Sequence, residues 1–180
     1  MENKKENTKD GRLSKQLGDF GENLVVFLLG NLKKHRVALV DHEGADIIAT
    51  DRENSNFKYA VSVKSRWFQT DDASTSFDEK NQRKLITFAN EFGMIPCVAY
   101  VLIDKLCKYI DVYILKLEDF EKLAIDQNFT GIKKRSKGLT IINTTEGNQK
   151  SLRECNLIDH TRINFELWKD NFLGKEGNLE

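Results

Sequence analysis

The run Ile95-Pro96-Cys97-Val98-Ala99-Tyr100-Val101-Leu102-Ile103 is nearly all apolar. Such a segment reads as a central β-strand covered on both faces, which sets the layer architecture of everything around it. Directly before it, the stretch Asp78 to Phe92 places Leu85, Ile86, Phe88, Ala89 and Phe92 at helical spacing. Ser76 or Asp78 is available as its cap, and Gly93 follows its end. A helix that leads straight into a buried strand implies a crossover into one sheet.

The flanking segments extend that sheet. From Leu13 onward, Leu17, Phe20, Leu24, Phe27, Leu28 and Leu32 recur at helical spacing, and Val25, Val26 and Leu29 add a second apolar face. The pattern predicts a helix buried on more than one side, closed by Lys33-Lys34-His35-Arg36 at its negative end. Val37–Val40, Ala45–Thr50 and Phe57–Arg66 read as antiparallel meandering strands separated by turn-rich segments. Thr70 to Ser76 reads as an exposed loop. Tyr109 to Leu115 is a further strand, and Leu117 to Ile125 a short helix with Leu117, Phe120, Leu123 and Ala124 inward. Lys133-Lys134-Arg135-Ser136-Lys137-Gly138 reads as a basic loop, Leu139 to Ile142 as a strand, and Phe165-Glu166-Leu167-Trp168 as part of a closing element. The expectation is a tail over residues 1–12 and one domain over 13–180, an α/β fold with a mixed sheet flanked by helices.

Lys and Arg number 28, as do Asp and Glu, so any attraction to nucleic acid must come from local basic patches. Cys97, Cys107 and Cys155 lack the close paired spacing of a zinc site or redox motif and are expected as free thiols. No apolar run, Leu24 to Leu29 included, approaches the ~20 residues of a membrane helix, and the polar start is no signal peptide. The expected location is cytoplasmic, without a membrane partner.

Against this apolar framework two charges stand out. In Tyr59-Ala60-Val61-Ser62-Val63-Lys64-Ser65-Arg66 the alternation puts Ala60, Ser62 and Lys64 on one face, so Lys64 projects from mid-strand. An ammonium there requires a carboxylate, a metal site or a polar cleft beside it. Asp46, in the adjacent strand, is the nearest candidate.

Taken together, Gly18-Asp19-Phe20-Gly21-Glu22, Gly44-Ala45-Asp46-Ile47 and Val61-Ser62-Val63-Lys64-Ser65 resemble the restriction-endonuclease-like PD-(D/E)XK nuclease superfamily. The resemblance extends from about Leu13 to Leu123 and implies the core order α-β-β-β-α-β-β-α with a C-terminal extension. It implies Glu22 as the glutamate of the first helix, Asp46 as the metal-binding aspartate and Lys64 as the catalytic lysine. Phosphodiester hydrolysis calls for a cation that neutralises phosphate and acidifies water, here Mg²⁺ or Mn²⁺. Asp46, Glu22 and the backbone carbonyl of Val63 are the implied hard-oxygen donors, with Lys64 holding or deprotonating the attacking water.

The sequence departs from the family where Ser62 stands in place of the usual acid two residues before the lysine. The resemblance implies a replacement from the following helix, Asp78 or Glu79, with Glu79 preferred. The alternative reading is an inactive module of the same fold that binds nucleic acid or serves assembly. Substrate contacts are expected from Ser62, Arg66, Trp67 and Gln69, and from Lys133, Lys134, Arg135 and Lys137. The expected substrate is DNA, with a homodimer as a further expectation. His35, His42 and His160 show no triad or zinc spacing, although His42 lies close to the proposed site in sequence.

Overall fold

The computed structural model describes residues 11–32, 35–68, 74–104, 107–125, 132–135, 138–142 and 159–165. Helix α1 (Gly11–Phe27) ends in a wider π-type turn over Leu28–Leu32. Strands β1 (His35–His42), β2 (Ala45–Asp51) and β3 (Lys58–Phe68) follow, then β4 (Ser74–Asp78) and helix α2 (Glu79–Glu91). Next come β5 (Ile95–Asp104), β6 (Tyr109–Lys116), α3 (Leu117–Ile125), β7 (Ile132–Arg135), β8 (Gly138–Ile142) and β9 (Asp159–Asn164).

Among the described residues, six strands form one mixed sheet in the order β1-β2-β3-β5-β6-β9, with helices on its faces. The meander is present, because β1 to β3 pair antiparallel. The crossover is present too: α2 carries the chain from β3 to β5, which lie parallel. From Cys97 to Asp104 every residue of β5 is buried, the apolar run to Ile103 as its composition requires and Asp104 as a buried carboxylate at its end. One face of the sheet packs α1 through Val61, Val63, Ala99, Val101 and Val112 against Val25, Leu28 and Leu29. The other packs α2 and α3 through Ala60, Val98, Tyr100, Tyr113 and Leu115 against Phe77, Leu85, Phe88 and Phe120.

Two glycines set close approaches. A Cβ on Gly21 would lie 1.8 Å from Ser65 Oγ, so only a bare backbone lets α1 rest on β3 at this level. Gly44, at φ +141°, lets the β1–β2 turn meet α2, where a Cβ would lie 2.7 Å from the Lys84 carbonyl oxygen. Helix α2 is capped by Asp78, whose carboxylate accepts from the Asn81 N–H at 2.8 Å, and Gly93 follows its end at φ +61°.

Several expectations need correction. Helix α1 begins at Gly11, so Gly11 and Arg12, assigned above to the tail, are helical. It is buried along one stripe only: Phe20 and Phe27 are exposed, Phe20 at an apolar pocket that it lines with Trp67, Ile103 and Ile110. Ser74 to Ser76 belong to β4 rather than to a loop, since they pair with β8 in a separate small sheet ordered β4-β8-β7. Strand β4 thereby enters the core order between β3 and α2. Lys133 to Arg135 are likewise strand, because β7 pairs with β8. Strand β9, which had no sequence signal, pairs with β6 and ends the sheet. Cys97 and Cys107 are free, while Cys155 lies outside the described residues.

Candidate active site

Strands β2 and β3 pair from Thr50–Lys58 to Ile47–Val61, and there the backbone ladder stops. Beyond that point the Asp46 side chain takes over. Its Oδ2 accepts the Val63 N–H at 2.6 Å and the Ser62 hydroxyl at 3.2 Å. Both bonds use Oδ2, which leaves Oδ1 without a hydrogen bond among the described residues. A strand that surrenders backbone pairing to a carboxylate opens a notch at its end, and Lys64 stands in that notch.

The Lys64 ammonium donates to Ser62 Oγ at 2.9 Å and to the Val63 carbonyl at 3.0 Å, and it sits 5.4 Å from the centre of the Phe77 ring. Ser62 thus bridges the amine to Asp46. Both of the lysine's hydrogen-bond acceptors are neutral, so its charge is balanced only at longer range. Burial lowers its pKa, against the opposing pull of Asp46, Asp78 and Glu22, while Arg66 lowers it further. Glu22 shows the complementary effect. Its pKa is raised by burial and by the negative charges of Asp46 and Asp19, with Lys64 offsetting only part of this.

The structure therefore brings Glu22, Asp46, Ser62, Val63, Lys64 and Asp78 to one corner, contributed by α1, β2, β3 and the cap of α2. Asp78 enters because β4 carries it there. Both its carboxylate oxygens are engaged with Asn81, at 2.8 Å each. Glu79 is the first residue of α2 and is exposed, and its carbonyl accepts from Arg83 Nε at 3.4 Å. Arg66 is exposed further along β3, on the same face as Lys64. Gln69 and Lys137 lie outside the described residues, and Lys133, Lys134 and Arg135 have a described backbone on β7 without described side chains. His42 packs on Phe88, its ring centre 4.6 Å away. Sequence reasoning missed the parts played by Asp19, Phe77 and the Gly21–Ser65 contact. Only the glycine left a signal, as a helix-weakening residue one position before Glu22.

Among the described residues, no three His, Cys, Asp or Glu side chains form a metal-holding group. The donor chemistry still suits a hard divalent ion held loosely. Asp46 Oδ1, the Glu22 carboxylate and the Val63 carbonyl are oxygen donors, and the Glu22 pKa is raised by burial first and then by the charges of Asp46 and Asp19. Mg²⁺ binds through one or two carboxylates while keeping several waters, so a closed cage is not required.

No protein-family model matches the chain, and no curated protein matches it. Among solved structures the chain is similar to Hjc, a Holliday junction resolvase of the archaeal hyperthermophile Archaeoglobus fulgidus. The identity is 17%, over 78% of this chain and 91% of that chain, with a TM-score of 0.49.

Proposed function

We propose that this corner hydrolyses phosphodiester bonds of nucleic acid, DNA in the first instance, with the help of Mg²⁺ or Mn²⁺. The observation that carries this reading is the Lys64 ammonium, largely buried at a corner shared with Asp46 and Glu22 and, among the described residues, hydrogen-bonded only to neutral oxygens. A lysine placed for stability alone would meet a carboxylate directly. One placed for chemistry is held short of full neutralisation, with a pKa lowered by burial.

When bound, a divalent cation supplies charge neutralisation at the phosphate and a more acidic water. Asp46 Oδ1, Glu22 and the Val63 carbonyl are the residues that would hold it. Ser62 orients both Asp46 and Lys64 through the two hydrogen bonds of its hydroxyl. Lys64 holds the attacking water or, in its neutral form, takes its proton, and the ammonium offsets charge on the phosphoryl oxygens. Asp78 serves as the long-range counter-charge that the missing acid at position 62 would otherwise supply. Among the described residues, no helix is long and apolar enough to cross a membrane.

The test is cleavage of supercoiled and short duplex DNA by the full chain with Mg²⁺ or Mn²⁺, beside Lys64→Ala. Metal-dependent cleavage by wild type, reduced at least about a hundredfold in the variant, is the expected outcome. Cleavage that persists unchanged in Lys64→Ala rejects the mechanism. Nucleic-acid binding without cleavage in any metal instead selects the inactive module.

A further inference from the structure

Behind the catalytic corner, the end of α1 and its π-type turn leave an open groove of about 530 Å³ against β1 and the β2–β3 turn. Its lining holds the guanidinium groups of Arg36 and Arg52 together with the His35 ring, and no carboxylate lines it. In a chain whose charges balance at 28 against 28, an acid-free groove is a local departure. Neither guanidinium forms an ion pair among the described residues. By contrast, Lys84 in the basic pocket beside α2 is already paired with Glu43.

Two further features point to a ligand. His35 is 8% exposed, yet its Nδ1 is buried without a hydrogen-bond partner among the described residues. A buried ring nitrogen left without a partner, in a groove with two arginines unpaired among the described residues, is costly unless a ligand completes it. Phe27, 55% exposed, lines the same groove and offers a bare aromatic face.

The groove's position links it to the corner. It begins at Asn23, the residue after Glu22 on α1, and reaches Arg52 just past the end of β2. From Asp46 to Arg52 the extended chain covers about 20 Å, so the groove starts beside the reactive groups and leads away from them. We propose that it holds a nucleotide of the substrate strand flanking the scissile bond. The phosphate sits between Arg36 and Arg52, with the His35 ring as a third donor, and a base lies on Phe27. Guanidinium forks match phosphate oxygens in pairs, and stacking on an aromatic face accepts any base. This inference rests on the nucleic-acid reading of the corner.

The experiment is fluorescence anisotropy of the full chain with a labelled single-stranded oligonucleotide in EDTA, over a range of salt. The Arg36→Ala/Arg52→Ala variant is expected to bind at least about tenfold more weakly, with the salt slope reduced by about 0.7 for the one lost phosphate contact. Phe27→Ala is expected to weaken binding at an unchanged slope. Deoxynucleoside monophosphate should shift the His35 ring resonances, and inorganic phosphate should do so less. Wild-type affinity in the double arginine variant, or no binding by wild type, overturns the proposal. Cleavage of bis(p-nitrophenyl) phosphate, which has no flanking nucleotide, separates this result from the nuclease reading. Equal rates in wild type and the double variant support both. No cleavage by either, with binding still dependent on the arginines, removes the nuclease reading and leaves the groove standing.

Discussion

Two charged clusters share one face of the central sheet and solve the problem of burial in opposite ways. In the first, Asp111 on β6 is 1% exposed, and Arg162 on β9 grips both its oxygens at 2.7 and 2.6 Å. His160 adds a contact at 3.4 Å, and the Arg162 guanidinium lies 4.3 Å from the Tyr109 ring centre. Burial alone would raise the Asp111 pKa, but the bonds from Arg162 and His160 outweigh it and hold the carboxyl low. In the second, Lys64 gives its bonds to a hydroxyl and a carbonyl, and its pKa falls. The rows are neighbours in the sheet: Lys64 aligns with Tyr100 and Tyr113, while Asp111 aligns with Leu102 and Arg66. A closed, bidentate pair fastens an edge strand. An ammonium left short of a carboxylate keeps a charge that no direct ion pair among the described residues compensates.

The sharpest way to break this contrast is to remove each cation in turn. Lys64→Ala is expected to lower metal-dependent cleavage by about 10²–10⁴-fold, while Arg162→Ala changes the rate of the folded protein little. Urea unfolding should reverse the ranking. Arg162→Ala leaves a buried, unpaired Asp111 and is expected to cost about 3–5 kcal/mol, against no more than about 1 kcal/mol for Lys64→Met. A loss of about 3 kcal/mol in Lys64→Met would place both clusters in the structural class.

A smaller effect follows from Gly21. The methyl group of Gly21→Ala collides with Ser65, so α1 must lift from β3, at an expected cost of about 1–3 kcal/mol. Because Glu22 rides on that segment, cleavage should fall further than the stability loss explains. Ser65→Gly in the same chain should restore part of both. Rescue of stability without rescue of rate would detach Glu22 from the site.

The smallest effects are those of pH on stability. Asp111 has a lowered pKa, so its contribution is present above the ordinary carboxylate value of 3.8 and is lost as pH falls through the depressed folded value. Lys64 gives a slope of the same sign at higher pH, but there a penalty on the folded state is relieved rather than a contribution gained. The unfolded chain holds that proton more tightly, so stability rises as pH climbs from the lowered folded value toward 10.5. Arg162→Ala should flatten the acid limb of unfolding, and Lys64→Met the alkaline limb; an exchange of the two limbs would contradict the assignment.

The sequence shows most clearly what is decided locally. Strand β5 and helix α2 are legible because their apolar spacing records their own burial. Strands β4 and β7 are not. Ser74-Thr75-Ser76 and Lys133-Lys134-Arg135 look solvated, and only the distant pairing with β8 makes strands of them. The exposed Phe20 and Phe27 teach a related lesson, since periodicity gives a helix its faces but not which of them the fold covers. Lys64 and Asp46 could be read as a site because each is a charge in an apolar strand. Asp111 carries the same signal within Tyr109–Leu115, but Arg162 lies 51 residues away on a strand with no pattern of its own.

The central claim is that negative charge at Asp46 and Glu22 exceeds what Lys64 neutralises and is matched by a divalent ion. Calorimetric titration of the full chain with Mn²⁺, in wild type and in Asp46→Asn, tests it most directly. The expected result is one ion bound per chain in wild type and at least about tenfold weaker binding in the variant. Equal affinity in the two proteins, or no uptake by wild type, would contradict it.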